Sequence, residues 1–234
     1  MALLTVTLLI AAAADLAPLE QELSQAFEKK TGIHLRFTLG SSGLLAQQIE
    51  NGAPFDVYLS ANEAFVKKLT ETGILDGASV RTYAVGRLGL WGVKDLQALA
   101  SPSLRHVAIP NPKHAPYGVA AEEALRRLGL LEGLRSKIVY GENVRQTYQY
   151  ARSGNAEAAI TSWTLVLNEG GVLLPDTLHD PIRQSGAVVK SSRNAAEARA
   201  FLDFLASDEG RAILRRYGLS EPRARDEGRE KLLP

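Results

Sequence analysis

Short apolar runs alternate along this chain with longer stretches in which apolar residues recur every three or four positions. The segment Thr5-Val6-Thr7-Leu8-Leu9-Ile10 reads as a buried parallel strand over residues 4–11. After it Leu16, Leu19, Leu23 and Phe27 keep near-helical spacing until Gly32 stops the helix. The same reading predicts a strand at 34–39, a helix at 43–51, a strand at 56–60 and a helix at 62–72. Residues 83–92, with glycines at 86, 89 and 92, read as an extended segment that either bends between two units or packs closely. Alternation then resumes with a strand at 106–109, a helix at 118–129, a strand at 137–140, a helix at 144–153 and a strand at 157–161. A strand at 186–190 returns toward the first unit. A helix at 194–206 buries Ala198, Phe201, Leu202 and Leu205 on one face, and a last helix covers 208–216.

Such alternation predicts an α/β fold of two lobes, with residues 1–84 and 186–234 forming one lobe and 85–185 the other. At 234 residues the chain is long enough to bury a core as one large domain or as two lobes of about 100 residues each. Crossing strands between α/β lobes leave a crevice where helix N-termini converge and ligands sit. The tail after Leu219 alternates acids and bases and reads as a solvated extension.

Composition narrows the function classes. A net charge of +1 gives no whole-molecule attraction to nucleic acid or to an anionic membrane. The chain has no cysteine, which excludes disulfides, thiol nucleophiles and cysteine-held metals. The four histidines, His34, His106, His114 and His179, show no metal-ligand spacing and read as exposed or core residues. Leu3 to Ala14 imitates a signal-peptide core, but no Lys or Arg precedes it, so the strand reading is preferred.

Chemistry concentrates at Gly40-Ser41-Ser42-Gly43, ahead of Gly52-Ala53-Pro54 and Asp56. A glycine-flanked serine pair at a helix start lets a ligand approach the backbone and aims N–H groups and a hydroxyl at it, where the helix dipole favours an anion. The other open reading is that Ser41 or Ser42 simply caps the helix. Tyr117, between Pro116 and Gly118, opens a second helix. Asn143-Val144 opens a third, with Asn143 an ordinary cap candidate. Asp56, Trp91 and Trp163 read as structural.

These stretches, with Phe27-Glu28-Lys29-Lys30-Thr31-Gly32, Asn111-Pro112-x-x-Ala115-Pro116-Tyr117-Gly118, Glu142-Asn143-Val144 and Arg216-Tyr217-Gly218, resemble the periplasmic molybdate-binding proteins of ABC importers from about Thr5 to Leu219. The resemblance implies a two-lobed type II periplasmic-binding-protein fold with molybdate or tungstate held in the cleft. It implies no cofactor, no protein ligand to the metal, and delivery to a membrane permease by a monomer. Carried over by position, the ligand-binding residues are Ala14, Asp15, Ser42, Tyr117, Val144 and Ser162, most of them acting through backbone N–H groups. Relatives often place serine or asparagine at Asp15 and sometimes tyrosine at Ser162. The expectation for Asp15 is a side chain that caps the first helix while its N–H faces the anion. The alternative is a carboxylate that approaches the metal. The resemblance further implies an extracytoplasmic protein whose natural signal has been replaced by Met1-Ala2.

Competing classes leave weaker traces. A binding protein for another oxyanion or small solute, or an enzyme on the same fold, stays open. No nucleophile elbow, Cys-His pair or dinucleotide glycine motif is present. A sensing domain of a transcription factor would show a helix-turn-helix, and an iron(III)-binding protein would show clustered tyrosines.

Overall fold

The computed structural model describes residues 6–222. The solvated tail expected after Leu219 therefore lies largely outside the described residues. Strand β1 (Thr7–Ala13) is followed by a 3-10 turn (Ala14–Leu19), helix α1 (Glu20–Thr31), β2 (His34–Gly40), α2 (Ser42–Glu50), β3 (Val57–Ser60), α3 (Glu63–Glu71) and β4 (Arg81–Gly86). The chain continues with β5 (Leu88–Trp91), β6 (Val107–Pro110), α4 (Pro116–Arg127), α5 (Leu131–Leu134), β7 (Ile138–Gly141), α6 (Val144–Arg152), β8 (Ala158–Ser162), α7 (Trp163–Val166) and β9 (Val172–Leu173). It closes with β10 (Ile182–Val188), α8 (Ala195–Ala206) and α9 (Asp208–Arg216).

These strands build two five-stranded sheets, ordered β2-β1-β3-β10-β4 and β7-β6-β8-β5-β9. In the first, β1 runs parallel to β2 and β3, while β10 is antiparallel to β3 and β4. Successive β1 residues point to opposite faces. Ile10 joins Leu23, Phe27, Phe201 and Leu205 under α1 and α8, whereas Ala11 joins Leu45, Ile49, Tyr58 and Leu69 under α2 and α3. In the second sheet Leu90, Val107 and Ile109 pack with Ala121 and Leu125 of α4. Ala108 and Ala159 pack on the other face with Ala151 of α6. Among the described residues no helix is long and apolar enough to cross a membrane.

Several boundaries differ from the sequence reading for identifiable reasons. The stretch from Leu16 is not one helix: Pro18 lies inside a 3-10 turn, and α1 begins only at Glu20. The extended segment 83–92 splits at Arg87 into β4 and β5, which belong to different sheets. The strand expected at 186–190 begins at Ile182, because buried Gln184 and Ser185 disguise its first half. Helix α4 starts at Pro116, since proline is well suited to the first helical position. Asp56 is structural, its carboxylate accepting from Leu9 N–H (2.8 Å) and from Ser192 Oγ (2.5 Å).

Candidate functional site

The C-terminal ends of β1 and β2 and the starts of α2, α4 and α6 meet at one small cavity between the two sheets. Ala14, Asp15 and Ser42 line it from the first lobe, and Tyr117 and Val144 line it from the second. No Lys, Arg or His lies among its lining residues. The remaining sequence-derived candidate, Ser162, sits behind this wall and does not line it.

Backbone donors dominate the geometry. Ser42, Tyr117 and Val144 each occupy the first helical position of α2, α4 or α6, or the one after its proline, where an N–H has no intrahelical acceptor. None of the three N–H groups has a hydrogen-bond partner among the described residues, although all three residues are buried. In α6 the neighbouring donors are already taken. Asn143 Oδ1 accepts from Arg145 N–H (3.0 Å) and Gln146 N–H (3.1 Å), which leaves the Val144 N–H as the open donor of that turn. Buried N–H groups without partners are rare, and each costs about 1–3 kcal/mol. Three on one cavity, each at a helix start where the dipole favours negative charge, form an arrangement that can hold an anion.

Neither serine of the glycine turn caps its helix, so that reading is set aside. Ser41 has N-cap backbone geometry but makes no side-chain cap bond. Its hydroxyl instead meets His114 Nδ1 at 2.9 Å. Ser42 Oγ accepts the Ala61 N–H at 2.9 Å, and its own hydroxyl proton remains available to the cavity. Gly43 N–H donates to the His114 carbonyl at 2.9 Å. A Cβ at Gly43 would lie 2.9 Å from that carbonyl oxygen, so only glycine allows this approach. Sequence reading treated His114 as an ordinary histidine, but it bridges the two lobes at the cavity rim.

Asp15 departs most from expectation. The 3-10 turn is preceded by Ala13 and α1 by Leu19, and neither start has a side-chain cap bond, so Asp15 caps no helix. Its fully buried carboxylate turns to the donors present there: Tyr117 Oη donates to Oδ2 at 2.9 Å, and Gln184 Nε2 also donates to Oδ2. Gln184 Nε2 further donates to Tyr117 Oη at 3.1 Å. Burial lifts the Asp15 carboxyl from 3.8 to about 6, against the opposing effect of these hydrogen bonds. Burial first, and the nearby Asp15 charge second, hold the Tyr117 phenol well above its ordinary value. The Thr164 hydroxyl donates to the Asp15 carbonyl at 2.7 Å and is met by the Ser162 hydroxyl at 2.9 Å. Ser162 therefore supports Asp15 through Thr164. Gln184 escaped sequence reading because it lies in mid-strand, and Thr164 because it follows the Ser162 cap of the short helix α7; only the packed fold brings them here.

This geometry can be set beside known proteins. A family model described as a bacterial extracellular solute-binding protein matches residues 8–220. The chain belongs to that family. It is 40% identical over 216 residues to the molybdate-binding protein ModA of Rhodobacter capsulatus, covering 89% of this chain and 86% of that protein. It is 35% identical over 221 residues to the Azotobacter vinelandii ModA, covering 89% and 88%. The solved periplasmic molybdate-binding protein of Azotobacter vinelandii superposes with a TM-score of 0.87 at 32% identity, over 92% of this chain and all of that one. Family membership and the close superposition establish the two-lobed type II solute-binding fold.

Proposed function

We propose that this chain is an extracytoplasmic binding protein that captures molybdate, and tungstate with it, between its two lobes and delivers the anion to the membrane permease of an ABC importer. The observation that carries the reading is the convergence of the unpartnered Ser42, Tyr117 and Val144 N–H groups on a cavity without a cation. Tetrahedral oxygens at ordinary hydrogen-bond distances of about 2.7–3.2 Å would satisfy all three. A wall of neutral donors suits an anion that carries no proton, whereas phosphate at neutral pH brings an O–H that needs an acceptor. The relatives named for molybdate support the same ligand, and their being binding proteins supports a binder rather than a catalyst.

Native mass spectrometry with molybdate, tungstate, sulfate and phosphate tests this. One bound molybdate or tungstate per chain is expected, with sulfate and phosphate retained weakly. Phosphate as the sole adduct would overturn the reading.

A further inference from the structure

Asp15 presents a problem that the donor wall does not solve. Its carboxylate has no solvent exposure, yet it lines the cavity in which a dianion is proposed to sit. The groups packed around it bring no compensating positive charge. Tyr117 comes from α4, Gln184 from β10, Thr164 from α7 and Val144 from α6. Tyr83 of β4 is the other titratable group coupled to Asp15, with Tyr58 of β3 beyond it. Burial holds all three tyrosines above their ordinary range, so they stay neutral at physiological pH. An ionised Asp15 would thus place a third negative charge beside a dianion at low dielectric, with no cation to offset it.

The hydrogen bonds show where a proton would go. Oδ2 accepts from both Tyr117 and Gln184, whereas Oδ1 has no partner among the described residues. Gln184 Oε1, in the same network, also lacks a partner among the described residues. A proton on Oδ1 removes the charge and turns an orphaned acceptor into a donor.

We infer that Asp15 enters the closed, anion-loaded site as the neutral acid, so that the chain takes up one proton with each dianion and excludes anions that need an acceptor there. This rests on the reading of the cavity as a dianion site. Burial lifts the carboxyl to about 6, and a dianion beside it raises it further. Proton uptake therefore grows as the pH rises above about 6. By linkage the affinity then falls up to tenfold per pH unit until the loaded carboxyl itself ionises.

Titration calorimetry of molybdate at pH 7.5, in buffers of different ionisation enthalpy, measures the protons taken up. Close to one is expected for the natural chain and close to none for Asp15→Asn. The affinity of that variant should stay level between pH 6.5 and 8.5, a range in which the oxyanion remains a dianion. Binding by the natural chain without proton uptake overturns the inference and leaves the molybdate reading standing. An unchanged pH slope in Asp15→Asn also overturns it. Absence of any heat with molybdate or tungstate at either end of the pH range overturns both. Should Asp15→Asn fail to fold, the buffer series on the natural chain decides alone.

Discussion

Ser42 Oγ serves two structures at once: its proton is available to the cavity while its oxygen accepts the Ala61 N–H at 2.9 Å. Ser42→Ala should therefore weaken molybdate binding roughly tenfold to a hundredfold, the equivalent of about 1.5–3 kcal/mol for a hydrogen bond to a charged ligand. It should also lower stability by about 1–3 kcal/mol, because Ala61 is left with a buried unpaired donor. Calorimetry and urea unfolding separate the two effects, and an unchanged affinity would return Ser42 to a purely structural role. Asp15 acts on stability in the opposite sense. Its carboxyl titrates near 3.8 when unfolded and near 6 when folded, so the folded state binds the extra proton between those values. Stability attributable to this group is therefore intact below about pH 4, falls as the pH rises toward 6, and stays reduced above it. Asp15→Asn should gain up to about 3 kcal/mol over the natural chain at pH 8 and little at pH 4, as read by urea unfolding at both. A gap that does not widen with pH would show that the carboxyl does not titrate there. Asp15, Ser42, Tyr117 and Val144 were carried over by position from the family resemblance, and the structure brings all four to the lining of one cavity. Gln184 was not legible, since a glutamine in mid-strand reveals its partners only after the strands have been ordered.

At the level of elements, three helices owe their convergence to local chemistry that is largely visible in the chain: Pro116 at the head of α4, the Asn143 cap on α6 and the glycines around Ser41 and Ser42. Their docking is less visible. Gly118 brings α4 so close to β6 that an added Cβ would stand 2.1 Å from the Pro110 carbonyl oxygen, a constraint that only the packed structure reveals. The start of the helix that Gly32 stops was misread because apolar spacing persists through Pro18, where the backbone forms a 3-10 turn. Helix α2 is tied across the cleft by His114 through Ser41 Oγ and the Gly43 N–H. His114→Ala removes the side-chain half of this tie, about 0.5–1.5 kcal/mol. Molybdate release should quicken by about threefold to tenfold, with the rank order of anions unchanged, in stopped-flow measurements. A lower melting temperature with an unaltered release rate would assign His114 to structure alone.

For the whole molecule, closure of the two lobes on a buried anion, as proposed, would link ligand concentration to stability. Molybdate at a thousandfold excess over its dissociation constant should stabilise the fold by about 4 kcal/mol, with sulfate and phosphate giving far less in the same thermal scans. Equal shifts for all three oxyanions would mean that the cavity does not select. The alternation of strands and helices made the α/β class and the pair of sheets legible from apolar spacing alone. The crossing at Arg87 was hidden inside one continuous extended run, because backbone that changes sheets without a loop leaves no mark in hydrophobicity.

The first sheet places β10 between β3 and β4, although the whole second sheet separates β4 from β10 in sequence. During synthesis the chain leaves the ribosome from its N-terminus, so β4 emerges without the neighbour that holds it in the sheet. The second lobe, contiguous in sequence, is complete before that neighbour is made. It can fold as a unit while the first lobe waits with β3 and β4 exposing unpaired edges. On this order of assembly the later lobe in the chain is the earlier one to fold. The strand that carries Gln184 to the cavity is then also the one whose arrival completes the first sheet.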